Sequence, residues 1–167
     1  MKTFSKIKMP AGSNILALAF AILLIAFFSF QTINAATLVV TNENDSGEGS
    51  LRQTIADAEH FDNIIFNDDV NHIILTSGEI VITKFVYLSG GTGNKRVIID
   101  GNNNSRIFAS YGIIPLEINN LTITKGCTTD TSQYGGAIYV CGPFKATLCD
   151  FTDNTGASYG GVISASH

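Results

Sequence analysis

The sequence predicts an all-β solenoid, a parallel β-helix with a short N-terminal capping helix. Three observations predict it. Short β-rich runs follow one another between turn formers, a five-residue block recurs at a distance typical of stacked repeats, and the composition is poor in charge. Of the 167 residues only 14% are charged, while 45% are apolar and 16 are glycine. A helical bundle needs many more Glu, Lys and Arg on its solvent faces, and a chain this apolar builds a core rather than staying disordered.

The first segment reads as a leader rather than as part of the fold. Lys2, Lys6 and Lys8 precede an apolar run over 15–30, and Thr32-Ile33-Asn34-Ala35-Ala36 ends it in small residues. A basic start, an apolar middle and a small-residue exit make a secretory signal peptide, expected over 1–35 with cleavage after Ala35 or Ala36. The run is 16 residues, shorter than the ~20 that a spanning helix uses. Cleavage removes three of the ten Lys and Arg and none of the 14 Asp and Glu, so residues 36–167 carry seven basic groups and a net charge of −7. That balance excludes nucleic acid, whose phosphates demand Lys and Arg, and docking on anionic lipid.

One helix is expected, over 51–59. Ser50-Leu51-Arg52-Gln53 fits a capping box with Ser50 as N-cap, and Leu51, Ile55 and Ala58 form one apolar stripe. A helix this short needs a partner; the exposed first edge of a strand stack needs a cover. Strands are expected over 37–41, 63–66, 73–76, 80–83, 86–89, 97–100, 106–109, 121–124, 137–140, 146–149 and 162–164. Turn formers such as Ser77-Gly78, Gly90-Gly91, Gly101-Asn102, Lys125-Gly126 and Gly142-Pro143 divide them. Asn102, Asn103, Asn119, Asn120 and Asn154 suit left-handed corners.

The repeat decides for a solenoid over a sandwich or a barrel. Tyr134-Gly135-Gly136-Ala137-Ile138 returns as Tyr159-Gly160-Gly161-Val162-Ile163, 25 residues on. Leu121-Thr122-Ile123-Thr124 before the first copy is matched by Leu148-Cys149-Asp150-Phe151-Thr152 before the second, at an offset of 27. Periods in this range mark stacked repeats, which predicts Ile123, Ile138 and Ile163 on inward ladders. Cys127, Cys141 and Cys149 are an odd set; export permits one disulfide plus a free thiol, and Cys149 also fits a small buried hydrophobe.

The opening Thr37-Leu38-Val39-Val40-Thr41-Asn42, followed by Asp45 through Ile55 with Gly49-Ser50-Leu51-Arg52-Gln53 and then by Ile64-Ile65-Phe66, resembles the start of bacterial secreted right-handed β-helix proteins. Gly135-Gly136-Ala137-Ile138 and Phe151-Thr152-Asp153-Asn154 resemble the GGA(I/L/V) and FxxN motifs of polymorphic outer membrane protein repeats, with Val162 in place of the second Ala. The resemblance implies a right-handed β-helix passenger on, or secreted from, a Gram-negative cell. It implies a role in adhesion toward a surface ligand, a host protein or a glycan. In that family a C-terminal barrel or sorting signal supplies anchoring. The chain is therefore expected to be the N-terminal part of a longer protein, with a final coil prone to self-association.

Candidate chemistry is sparse. Glycoside hydrolysis needs two carboxylates flanking a bond; Asp68-Asp69 is the best local pair, but neighbours on a strand face opposite ways, so it reads as a turn. A lyase would need calcium carboxylates and a base, which Asp100, Asp150 and Asp153 with Arg106 or Lys125 supply only if the fold gathers them. His60, His72 and His167 lack metal-ligand spacing and read as surface residues. Gly90-Gly91-Thr92-Gly93-Asn94-Lys95 lacks phosphate-loop spacing and reads as a turn. The sequons at Asn44, Asn103 and Asn120 matter only in a eukaryotic secretory route. No catalytic, cofactor or metal residue is assigned, and a non-catalytic scaffold is expected. The alternative is the first part of a carbohydrate-active β-helix enzyme, a polysaccharide lyase or glycoside hydrolase.

Overall fold

In the computed structural model the chain divides into two units, Met1–Asn34 and Ala35–His167. The structure describes residues 35–91, 95–130, 132, 134–157 and 160–165. The expected leader lies, but for its last residue, outside them, as do Tyr159, His167 and residues 92–94 of the glycine-rich turn.

The second unit is a parallel β-helix of about four turns. Strand β1 (Thr37–Val40) and helix α1 (Leu51–Asp57) come first. Then follow β2 (Asn63–Phe66), β3 (His72–Ile74) and β4 (Ile80–Val81), and one coil on, β5 (Val86–Ser89), β6 (Val97–Asp100) and β7 (Phe108–Ser110). The next coil holds β8 (Leu116–Asn119), β9 (Leu121–Thr124), β10 (Cys127–Thr128) and β11 (Ile138–Val140). The last holds β12 (Phe144–Thr147), β13 (Asp150–Thr152), β14 (Thr155–Gly156) and β15 (Ile163–Ala165). Corresponding strands stack in parallel into a first sheet β1-β2-β5-β8-β12, a second β3-β6-β9-β13 and a third β4-β7-β11-β15; β10 pairs with β14. The period is not fixed: Asn63 pairs with Tyr87, 24 residues on, and Tyr87 with Glu117, 30 on.

Alternation along each strand sends every second side chain inward. Three apolar ladders result: Ile64-Leu88-Ile118, Ile73-Ile99-Ile123 and Ile80-Phe108-Ile138, all buried. Each such side chain stabilises the fold by about 1.5–3 kcal/mol through removal from water. Ile123 and Ile138 are inside as expected; Ile163, in the last coil, is half-buried.

Helix α1 is two residues shorter than predicted. Ser50 caps it, its hydroxyl accepting from Gln53 N at 3.2 Å. The reciprocal half of the box is not made, because the Gln53 amide donates to Asp57 Oδ1 and Ser50 N donates to Gly47 O. Leu51, Ile55 and Ala58 join the core. Arg52 donates to the carbonyls of Gly78 and Glu79, just before β4, and Lys84, just after it, donates to Ala58 O. The helix thus covers the first strand of the third sheet, as a lid.

The corners correct several expectations. Asn102, Asn103 and Asn120 are left-handed, but Asn119 and Asn154 are not; Lys125, Leu148 and Asp153 take those conformations. Asn119 is the last residue of β8, while Asn154 uses its amide on the coil below, accepting from Gly126 N and donating to Ile123 O. Gly136 of the GGA motif is needed for space, since a Cβ there would lie 2.3 Å from Thr155 O of the next coil. The run 146–149 is not one strand. Leu148, at φ 54°, turns the chain between β12 and β13. The matching register is therefore Ile123 with Phe151, an offset of 28, not Leu121 with Leu148.

Leu148 stands where Asn120 stands one coil earlier, and it is 67% exposed. A left-handed backbone costs an ordinary L-residue roughly 1–2 kcal/mol, less for Asn. Leu148→Asn should therefore stabilise the protein by about 1 kcal/mol. The denaturant midpoint should rise at constant slope; an unchanged or lower midpoint would show that the corner carries no strain.

Candidate functional site

The outer face of the first sheet carries two in-register rows. One runs Asn63, Tyr87, Glu117, Lys145; the other runs Ile65, Ser89, Asn119, Thr147. Between them lies a groove of about 280 Å³, lined by these residues apart from Ile65, with Leu88 and Ile118 beneath. Strand pairing fixes the backbone, so the rows are held rigidly. Lys145 Nζ lies 3.3 Å from Glu117 Oε2, which neutralises the groove's two charges. The side chains of Asn63, Ser89, Asn119 and Thr147 make no hydrogen bond among the described residues. Beside Tyr87 lies an aromatic row: its ring centroid is 4.7 Å from that of Phe85, which is 5.4 Å from that of Phe61. Sequence reasoning missed this face, since the rows exist only once the register is known.

Two polar ladders occupy corners of the stack instead. In one, Arg52, Glu79, Arg106 and Tyr134 come from four successive coils near one corner. Arg52 donates to Glu79 O at 2.8 Å, and Arg106 donates to Glu79 Oε2 at 2.7 Å and to Tyr134 O at 2.9 Å. Tyr111 closes the knot, accepting from Arg106 and donating to Glu79 Oε1 at 2.5 Å. Burial and then Glu79 raise the Tyr111 pKa above its ordinary value. A cleft of about 310 Å³ adjoins this knot, but both Glu79 carboxylate oxygens are already bonded, so the cluster is a tie between coils.

In the other ladder, the buried Asp100 carboxylate lies 3.1 Å from His72 Nε2 and 2.8 Å from Lys125 Nζ and accepts from Asn102 N. Burial pushes the Asp100 pKa up, but Lys125, Asn102 N and His72 outweigh it and hold the carboxyl below its usual range. Asp100 and Lys125 are thus the only members of the suggested lyase set that meet among the described residues by a direct bond. Asp150 pairs with Arg96, Arg106 with Glu79, and Asp153 turns a corner. Asp68 and Asp69 form the turn after β2. His72 is not a simple surface residue, since it braces Asp100, and His60 Nδ1 accepts from Phe85 N at 3.1 Å. All three cysteines are free thiols and half-buried, so Cys149 is less buried than its alternating context suggested. No cluster of metal-ligating residues occurs among the described residues.

Asp45 gives the lid a pH dependence. Its carboxylate, on a side chain 9% exposed, accepts from Arg52 Nη2 at 2.8 Å, Thr76 Oγ1 at 3.0 Å, and the Ser77 amide and hydroxyl. Burial raises its pKa, but these donors, Arg52 foremost, pull it down to about 2. A carboxylate with a folded pKa below its unfolded ~3.9 adds stability above that pH and loses it as pH falls through the folded value. Asp45 should therefore contribute roughly 2 kcal/mol at neutral pH that disappears between about pH 4 and pH 2. Urea titrations of the parent and Asp45→Asn across that window should converge as pH falls; parallel curves would contradict this linkage.

No family model, curated protein or solved structure matches the chain.

Proposed function

We propose that the protein is exported and acts as a non-catalytic scaffold for adhesion or surface display, at the outer membrane or outside a Gram-negative cell. The observation that carries this reading is the outer face of the first sheet, where unbonded polar side chains project in register from a rigid backbone. A pre-ordered face loses little conformational freedom on binding, which favours its use as a binding surface. The basic start, apolar run and small-residue exit of the first 36 residues support export. The GSLRQ opening and the GGA and FxxN motifs support kinship with polymorphic outer membrane protein repeats.

The full chain, expressed in a Gram-negative host, should appear outside the cytoplasm with an N-terminus at Ala36 or Thr37 by mass spectrometry. Cells displaying it should adhere to glycan-coated or cell-monolayer surfaces more than cells lacking it. Retention of Met1 in a cytoplasmic product opposes export, and equal adherence opposes the adhesion role. Cleavage of polygalacturonate that Asp100→Ala or Asp153→Ala abolished would replace the scaffold with the carbohydrate-active enzyme.

A further inference from the structure

We infer that the groove on the first sheet binds an uncharged, linear polysaccharide running along the solenoid axis, across β2, β5, β8 and β12. The inference deepens the adhesion reading and rests on it.

Four features converge on this ligand. The first is hydrogen-bonding capacity. Asn63, Ser89, Asn119 and Thr147 each offer both donor and acceptor atoms, and none bonds elsewhere among the described residues. Sugar hydroxyls present the same mixture of donors and acceptors. The second is the aromatic platform. Tyr87 lies in the middle of the groove and leans on Phe85, itself against Phe61. A fixed aromatic ring gives the C–H-rich face of a pyranose an apolar surface beside polar groups, the mixture typical of small-ligand sites.

The third feature is charge. Glu117 and Lys145, neighbours along one row of the groove, offset each other, and the chain from residue 36 onward is net acidic. A polyanion would meet one lysine that is already paired, on a molecule that repels it at longer range. A neutral polymer meets no such penalty.

The fourth is spacing. Strands in a sheet lie about 4.8 Å apart, close to the length of one β-1,4-linked pyranose unit, so successive sugars meet successive coils. An extended peptide advances about 3.3 Å per residue and would fall out of step within two residues. A peptide would also bind by adding a strand at an edge or by filling apolar pockets; backbone groups of the interior strands are already paired within the sheet.

The test is calorimetric titration of the full chain with cello- and manno-oligosaccharides of increasing length, and with oligogalacturonates as the anionic counterpart. Affinity for the neutral series should rise with length until the chain spans the four strands and then level off. Tyr87→Ala should weaken binding about tenfold, the loss of one central contact. Asn119→Ala should weaken it several-fold, and Ile74→Ser, on the second sheet, should leave it unchanged. Thermal unfolding of each variant distinguishes a lost contact from a lost fold. No binding by either neutral series, length-independent binding, tighter binding of the oligogalacturonates, or full affinity in a folded Tyr87→Ala variant would each overturn the inference. Adherence that persists without any oligosaccharide binding would refute the polysaccharide and leave adhesion standing. Oligosaccharide binding without adherence would do the reverse.

Discussion

Phe108→Ala should destabilise the protein by about 3–5 kcal/mol, the range for emptying a fully buried phenylalanine site. Among the described residues Phe108 is the largest side chain with no exposure, and it sits on the third sheet between Ile80 below and Ile138 above. In a solenoid each coil is stabilised by its neighbours, so the cavity would weaken two interfaces at once. The surrounding backbone has little freedom to collapse, because both flanking strands are hydrogen-bonded to β7. Domains have only about 5–15 kcal/mol in total, so the variant should lose a large part of its urea resistance. Phe108→Leu, which keeps most of the apolar volume, should recover much of the loss. Ile74→Ala, on an outward position 43% exposed, should change stability by about 0.5 kcal/mol or less. Hydrogen exchange should rise first in β4, β7 and β11. A loss from Phe108→Ala no larger than that from Ile74→Ala would show that the inward ladder is loosely packed.

The class of fold was legible because its two signals are local. Turn formers set off one short β-rich run after another, and the paired glycines at 135–136 and 160–161 marked a repeat. Register was harder, since it depends on corner conformation. Leu148 is apolar and lies among strand-like residues, so the run 146–149 reads as a strand. Its left-handed backbone makes it a corner, and that single residue shifts the alignment of the two coils from 27 to 28. A one-residue slip moves every side chain to the opposite face. Strand β8 was missed for a related reason: Asn120 alone separates it from β9, too short a break to signal two strands.

The candidate site was illegible for the same cause. Tyr87, Glu117 and Lys145 are 30 and 28 residues apart, so no fixed period brings them together. The three-residue spacing logic that finds helical stripes, or the fixed spacing that finds metal ligands, has no counterpart here. What the sequence did disclose were the residues whose role is local: Ser50 as a cap, and Asn102, Asn103 and Asn120 as corners.

Arg106→Ala should destabilise the protein by about 3–5 kcal/mol, as expected when one partner of a buried ion pair is removed and the other is left behind. The Arg106 side chain is 6% exposed and its partner Glu79 22%. Its guanidinium joins three successive coils: Glu79 one coil below, its own coil, and Tyr134 O one coil above. It also lies 5.9 Å from the Tyr111 ring centroid and 5.5 Å from that of Tyr139, where a planar cation gains from the aromatic faces. Alanine would leave the Glu79 carboxylate with only Tyr111 and would remove the donor to Tyr134 O. Arg106→Lys keeps the charge but not the planar fork, so it should recover only part of the loss. Glu79→Gln in the Arg106→Ala background should restore stability, because a neutral amide does not carry the desolvation cost of an unpaired carboxylate. The check is a double-mutant cycle read by urea denaturation. A coupling near zero would mean that the knot is screened by solvent and that the ladders of apolar side chains alone hold the coils in register.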